Sequence, residues 1–260
     1  MTRDDQTRFF FIHVMKTGGT SFVFQMLQNF EPDEVYPSAV DRTSPTDDTS
    51  YVSIPKLLEL SPERRARIRI YAGHLPYVAS ELLGIDLVRL TLLRDPVDRT
   101  VSMLKHVKRL FERYAEFSID AIYDDEAIFR HYLDNYQTRL FALTADERDR
   151  AFAAGIANTE PSRSPRPVPI EKSRFEHAKA NLAKVDVIGL NERYGDFVED
   201  LRARFGWWPE GLKRHARANV SSEDWIASPE LRRRIADENT YDMELYQYAK
   251  ELVEARRASS

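Results

Sequence analysis

The residue types that could do chemistry stand together in three short clusters. The first is His13-Val14-Met15-Lys16-Thr17-Gly18-Gly19-Thr20-Ser21. Two adjacent glycines let backbone approach a ligand with no Cβ in the way. Lys16 adds a mobile positive charge, and Thr20 and Ser21 add hydroxyl donors. Between a strand and a helix, such a segment can cradle an anion, because the first N–H groups of a helix are unpaired and its dipole is positive there. Nucleotide triphosphatase loops set their lysine directly before the closing Ser/Thr, several residues after a glycine. Here the lysine comes first, and a strand-helix turn with an incidental lysine is the plain alternative.

The second cluster is Leu93-Arg94-Asp95-Pro96-Val97-Asp98-Arg99-Thr100-Val101-Ser102. A guanidinium at a strand's end and a hydroxyl eight residues later, inside the following helix, can face one point above a sheet. The planar fork of arginine suits a phosphate monoester. Taken alone, this cluster reads better as Arg94 paired to Asp95 or Asp98 at the surface. The third is Gly73-His74, after a short apolar run. An imidazole with a reference pKa near 6.5 is suited to taking a proton, and equally to holding structure by hydrogen bonds. Two anion sites following two parallel strands would span the carboxyl edge of a sheet, where open α/β folds bind ligands.

The elements that would position these clusters are legible from composition. Phe9 to Val14 is a buried strand, and Thr20 to Phe30 carries helical apolar spacing. Asp41 to Ser50 has loop composition, and Ile54 to Ile68 is helical with a restart at Ser61-Pro62-Glu63. Ile70-Tyr71-Ala72 and Leu87 to Leu93 are strands, each delivering polar residues at its end. Asp98 to Tyr114 and Ala127 to Leu143 are expected as long helices. Asn158 to Pro169, rich in Pro, Ser and Arg, is expected as a surface loop or lid, with Arg163 and Arg166 placed to attract an anionic acceptor. Val185 to Leu190 is a strand, Tyr194 to Phe205 a helix closed by Gly206, and Pro229 to Ala255 mostly helical. Strands separated by helices imply an α/β fold of three layers, a central parallel sheet flanked by helices, in one domain spanning residues 1–260.

Composition excludes several chemistries. The 260 residues contain no cysteine, so thiolate metal sites, disulfides and thiol nucleophiles are absent. A formal net charge of -4 gives no general attraction to nucleic acid, so any anion site is local. The apolar run Phe9 to Val14 is far shorter than the roughly 20 residues of a membrane helix or a credible signal peptide, which points to a soluble, cytoplasmic protein. The runs Arg64-Arg65-Arg67-Arg69 and Arg232-Arg233-Arg234 are expected to be solvated helix faces. His13 is a candidate supporting residue behind the lysine loop. His106, His131, His177 and His215 are expected in packing or solvent.

Together the clusters resemble the sulfotransferases that use 3′-phosphoadenosine 5′-phosphosulfate (PAPS). Lys16-Thr17-Gly18-Gly19-Thr20-Ser21 looks like the family's 5′-phosphosulfate loop, and Arg94 through Ser102 like its 3′-phosphate motif. His13 to Thr20 is similar to the heparan sulfate 6-O type, and Gly73-His74-Leu75-Pro76-Tyr77 to the 2-O segment bearing a proposed catalytic histidine. Val187-Ile188-Gly189-Leu190 followed by Asp196-Phe197 matches a late strand-helix unit of that carbohydrate sulfotransferase branch. His215-Ala216-Arg217-Ala218-Asn219 stands where the family covers its cofactor, which carries Arg217 and Asn219 into the binding set.

The resemblance implies a P-loop-like sulfotransferase fold. It implies transfer of a sulfuryl group from PAPS to a hydroxyl of an acceptor, expected to be a glycan or glycoside, with adenosine 3′,5′-bisphosphate as product. Lys16 would stabilise the leaving phosphate and His74 would take the hydroxyl proton. The leaving group is already good, so no metal is required. Two other readings stay open. A nucleotide-dependent kinase needs a magnesium-holding Ser/Thr after the loop lysine and an acidic partner on a later strand. Thr17 does follow Lys16, but the preceding glycine frame is missing and the later strand ends in Arg94. A nucleotide- or glycan-binding module without turnover is the other.

Overall fold

The computed structural model describes residues 7–41, 52–147, 168–208 and 226–258. In chain order the elements are β1 (Phe9–Ile12), α1 (Gly19–Met26), β2 (Val35–Tyr36), α2 (Ile54–Leu58), α3 (Pro62–Arg67), β3 (Ile70–Gly73), α4 (Tyr77–Leu82), β4 (Val88–Leu93), α5 (Pro96–Leu110), α6 (Ile119–Tyr123), α7 (Glu126–Ile128), α8 (Tyr136–Ala142), α9 (Lys172–Ala183), β5 (Val187–Leu190), α10 (Tyr194–Phe205), α11 (Pro229–Glu238) and α12 (Thr240–Ala258). The sheet runs β2-β3-β1-β4-β5, and every pairing in it is parallel. Among the described residues, no helix is long and apolar enough to cross a membrane.

The strand Phe9-Phe10-Phe11-Ile12 is buried at every position because β1 is the middle strand and both its faces are covered. Its side chains alternate between two cores. Phe9 and Phe11 face α1, α10 and Trp207, while Phe10 and Ile12 face the layer containing α5, α8, α9 and α12. Phe22 of α1 locks the first core, its ring 4.6 Å from Phe11 and 5.0 Å from Phe197. Burying a phenylalanine of this kind is worth about 2–3 kcal/mol.

The connection from β1 leads outward to β2 on one side of the sheet, and that from β4 leads to β5 on the other. A crevice therefore opens between the carboxyl ends of β1 and β4. The Lys16 loop follows one of these strands and Arg94 the other.

The structure departs from expectation in four places. The edge strand β2, only two residues in an acidic, proline-flanked stretch, lacks any periodic signal. Ala127 to Leu143 is not one helix. A π-turn at Phe129–Leu133 ends at Asp134, and Asn135 takes a left-handed φ of 43° before α8 begins. The cause is tertiary: Asp242 of α12 accepts from Gln137 N, Thr138 N and Thr138 Oγ1, a ready cap for a new helix. Arg64, Arg65 and Arg69 do not lie on a solvated face. Arg64 reaches Asp41 and the carbonyls of Asp33 and Val35, Arg65 the carbonyls of Leu58 and Leu60, and Arg69 that of Thr7. Lastly, Arg94 is paired to neither Asp95 nor Asp98. Asp95 caps α5 through Val97 N and Asp98 N at 3.0 and 3.1 Å, and Asp98 bonds Arg232.

Candidate active site

The loop after β1 is held by its carbonyls. Ile12 O accepts from Thr91 Oγ1 at 3.0 Å, His13 O takes the Nδ1 of His74 at 2.9 Å, and Val14 O accepts from Thr17 Oγ1 at 2.9 Å. Met15 O accepts from Arg99 Nε at 3.2 Å, Lys16 O from Arg94 Nη1 at 3.3 Å, and Thr17 O from Asn191 Nδ2 at 2.9 Å. Six consecutive carbonyls are thus engaged by side chains, one by the loop's own Thr17 and five by residues of β4, of the ends of β3 and β4, of α5 and of the turn after β5. Among the described residues, the backbone N–H groups of Lys16 to Ser21 make no backbone hydrogen bond of good geometry beyond the turn over Met15 to Gly18. Carbonyls withdrawn and N–H groups left over make a concave donor surface, with the start of α1 at its edge.

Left-handed backbone at Lys16 (φ 69°) and Gly18 (φ 91°) gives the loop its curl. The glycines are required by packing as well as by any ligand. A Cβ on Gly18 would stand 2.6 Å from Asn191 Nδ2, and one on Gly19 would stand 2.2 Å from His13 Cδ2. The room that the sequence suggested for a ligand against Gly19 is filled by the His13 ring.

His13 in turn stacks on His74 with ring centroids 4.1 Å apart. His74, half-buried at the end of β3, has its Nδ1 against the His13 carbonyl. A carbonyl only accepts, so Nδ1 carries the proton and Nε2 keeps a lone pair. Burial lowers the His74 pKa below the usual 6.5, the nearby Lys16 charge adds to that, and the hydrogen bond to His13 opposes it. His13 is held well below its usual value by burial, His74 and Lys16.

Lys16 is half-buried, and its ammonium has no hydrogen bond or ion pair among the described residues. Its pKa falls from 10.5 to about 8, first through burial and then through the charges of Arg109, Arg99 and Arg94. Arg99 is buried completely, bonding Met15 O and Tyr132 O and lying over the Tyr136 ring at 4.1 Å. Arg94 is clamped through its backbone by Gln137, which donates to its carbonyl at 2.9 Å and accepts from its N–H at 3.1 Å. Its buried Nε has no hydrogen-bond partner among the described residues.

The expected residues Lys16, His74 and Arg94 therefore come together at the carboxyl ends of β1, β3 and β4, where Arg94 bonds the Lys16 carbonyl and the Lys16 charge acts on His74. Thr17 and Gly19 are buried, Gly18 is half-buried, and Thr20 and Ser21 stand in the first turn of α1. Ser102 stands half-buried on α5, and no hydrogen bond joins it to Arg94. Arg217, Asn219 and His215 lie outside the described residues, as do Arg163 and Arg166. Sequence reasoning missed Thr91, Arg99, Gln137 and Asn191, which hold the loop or Arg94 from distant parts of the chain. His106, half-buried on α5, has its pKa pushed to about 4 by burial and by the charges of Lys16, Arg109 and His74. A cavity of about 920 Å³ lined by Leu27, Phe30, Val35 and Trp207 lies elsewhere, against Phe9 at the opening end of β1.

A search of curated proteins finds no match to this chain. A family model described as "Sulfotransferase family" matches residues 1–249, and with the five-stranded parallel sheet and the crevice at its carboxyl edge, that match means the chain belongs to the sulfotransferase family.

Proposed function

We propose that this protein moves a sulfuryl group from PAPS to a hydroxyl of an acceptor, and that the acceptor is a carbohydrate. The observation that carries the reading is the loop from Ile12 to Thr17, whose carbonyls are all engaged by side chains while, among the described residues, the N–H groups at the start of α1 make no backbone hydrogen bond of good geometry. The charges that act on Lys16 are cationic throughout. A donor-lined, positively charged crevice fits a nucleotide bearing phosphates at both ends. The likeness of His13 to Thr20 and of Gly73 to Tyr77 to the heparan sulfate 6-O and 2-O enzymes supports the carbohydrate.

When bound, PAPS supplies a sulfuryl group joined to a phosphate that leaves readily. Lys16 and the N–H groups of the loop hold the 5′ end and neutralise charge as it gathers there, without reorganising during the step. Arg94 and Ser102 hold the 3′-phosphate. His74 Nε2, its tautomer set by the His13 carbonyl, accepts the proton of the acceptor hydroxyl. At neutral pH burial leaves His74 uncharged and Lys16 still mostly charged, the two states these roles need.

The test is mass-detected sulfate transfer from PAPS across a panel of glycosides and oligosaccharides, beside calorimetry with adenosine 3′,5′-bisphosphate. His74→Ala should cut transfer by about 10²–10⁴-fold while leaving the bisphosphate Kd within about twofold. No heat with the bisphosphate would overturn the reading, as would full transfer by the alanine variant. Tight magnesium-dependent binding of a nucleoside triphosphate instead would favour a kinase.

A further inference from the structure

We propose that Asn191 and Glu192, in the turn after β5, are positioning residues that fix the spacing between the lysine loop and the Arg94 segment, so that one nucleotide is gripped at both of its phosphates. This rests on the sulfuryl-transfer reading above and adds what holds the two ends of that site in register.

The register of the sheet brings these groups together. Leu190 of β5 pairs with Leu93 of β4, so Asn191 and Glu192 leave the sheet beside Arg94 and Asp95. From there the two side chains reach different segments. Asn191 Nδ2 donates at 2.9 Å to Thr17 O, in the loop that follows β1, two strands away. Glu192 Oε1 accepts at 3.0 Å from Asp95 N, directly after Arg94. Asn191 also packs against the loop, since a Cβ on Gly18 would stand 2.6 Å from its Nδ2. Adjacent residues have Cα atoms about 3.8 Å apart, so the two bonds tie both segments to one point of the chain.

Glu192 is in turn held from α12. Tyr246 Oη donates to Glu192 Oε2 at 2.6 Å, and burial together with that carboxylate raises the pKa of the phenol, so it keeps its proton. Tyr246 stands one helical turn after Asp242, on the same face of α12, and both are buried. Asp242 caps the start of α8, where Gln137 clamps the Arg94 backbone. One face of α12 thus steadies Arg94 and Asp95 by two routes. The direct link between the segments, Arg94 Nη1 to Lys16 O at 3.3 Å, runs through the guanidinium assigned to the 3′-phosphate. Asn191 and Glu192 keep the register through groups with no such second task. For a ligand anchored at one end, the second contact is intramolecular, and its strength depends on how well the spacing of the two sites matches the ligand.

The experiment is calorimetry on the full chain with adenosine 3′,5′-bisphosphate and with adenosine 3′- and 5′-monophosphate, each of which loads one end. Asn191→Ala and Glu192→Ala should weaken the bisphosphate about tenfold, while each monophosphate changes by no more than about twofold. Glu192→Gln should keep most of the bisphosphate affinity, because its amide oxygen still accepts from Asp95 N and its amide N–H can donate to the Tyr246 oxygen. Charge cannot produce that pattern: both Glu192 variants lose the same carboxylate, and losing it would by itself favour an anion. Equal losses for all three ligands overturn the proposal, since a general weakening of the fold acts on every ligand alike. So does an alanine variant whose bisphosphate affinity is unchanged, or a Glu192→Gln variant as weak as Glu192→Ala. Failure of the wild-type chain to bind the bisphosphate is the separate result that sinks the sulfuryl-transfer reading itself.

Discussion

If the proposed function holds, raising the pH should weaken the binding of adenosine 3′,5′-bisphosphate far below the pH at which ordinary lysines titrate. Lys16 has its pKa lowered to about 8, chiefly by burial, with Arg109, Arg99 and Arg94 adding repulsion. His13, His74 and His106 are all held below 6.5, so they stay neutral through this range and Lys16 is the site group that titrates. A lysine lowered in the free protein loses its charge as pH rises through that value, and an anion binds only the charged form well. Between pH 7.5 and 9.5 the charged fraction of a group of pKa 8 falls about 25-fold, against about 10% for an unperturbed lysine. The affinity for adenosine 3′,5′-bisphosphate should fall by the same 25-fold or so, equivalent to about 1.9 kcal/mol. The assay is isothermal titration calorimetry in buffers of differing ionisation enthalpy, which also counts protons. At pH 9 binding should take up about 0.9 proton per site. Lys16→Arg, which cannot deprotonate here, should bind with no such decline. A flat affinity to pH 9.5 in the wild type, or an unchanged decline in Lys16→Arg, would refute the argument.

Packing around the loop gives a sharper mutational contrast than any charge. Gly19→Ala would drive a Cβ to 2.2 Å from His13, whose ring is held between Phe11 and His74. It should destabilise by about 1–3 kcal/mol in urea unfolding and abolish nucleotide binding. Gly195→Ala, in a helix with nothing near its Cβ, should instead stabilise by about 0.5–1 kcal/mol. Asp242→Ala would leave Gln137 N, Thr138 N and Thr138 Oγ1 unpaired in a buried place. It should cost about 3 kcal/mol by chemical denaturation and weaken bisphosphate binding as well, because Gln137 is what clamps Arg94.

The parts of the site that local sequence could reveal are those marked by local chemistry. Lys16, Gly18 and Gly19 announce a curled strand-helix turn, Asp95-Pro96 announces the cap of α5, and Ser61-Pro62 announces the restart at α3. In each case the residues that carry the signal also make the structure: Asp95 caps α5, and Ser61 accepts from Arg64 N. What stayed hidden has its cause far along the chain. Asn135 begins a new helix because Asp242, more than a hundred residues later, supplies the cap. Arg64, Arg65 and Arg69 read as a charged surface, since nothing nearby tells that backbone carbonyls await them.

The same distinction explains why the residues that would be named as doing chemistry are fewer than those that make it possible. Lys16 and His74 stand at the carboxyl ends of β1 and β3, but neither sets its own geometry. Arg99, Arg94 and Asn191 hold three adjacent carbonyls of the lysine loop from three separate elements. Two of those holders are cations, and both also act on the Lys16 ammonium. Tethering and charge tuning are therefore one device: a guanidinium that withdraws a carbonyl from the crevice leaves its positive field behind. A neutral donor in place of Arg99 could hold Met15 O, yet it would let the Lys16 pKa climb. Arginine at that buried position is costly, with its own pKa lowered to about 10, and the cost is intelligible only because a single side chain performs both tasks.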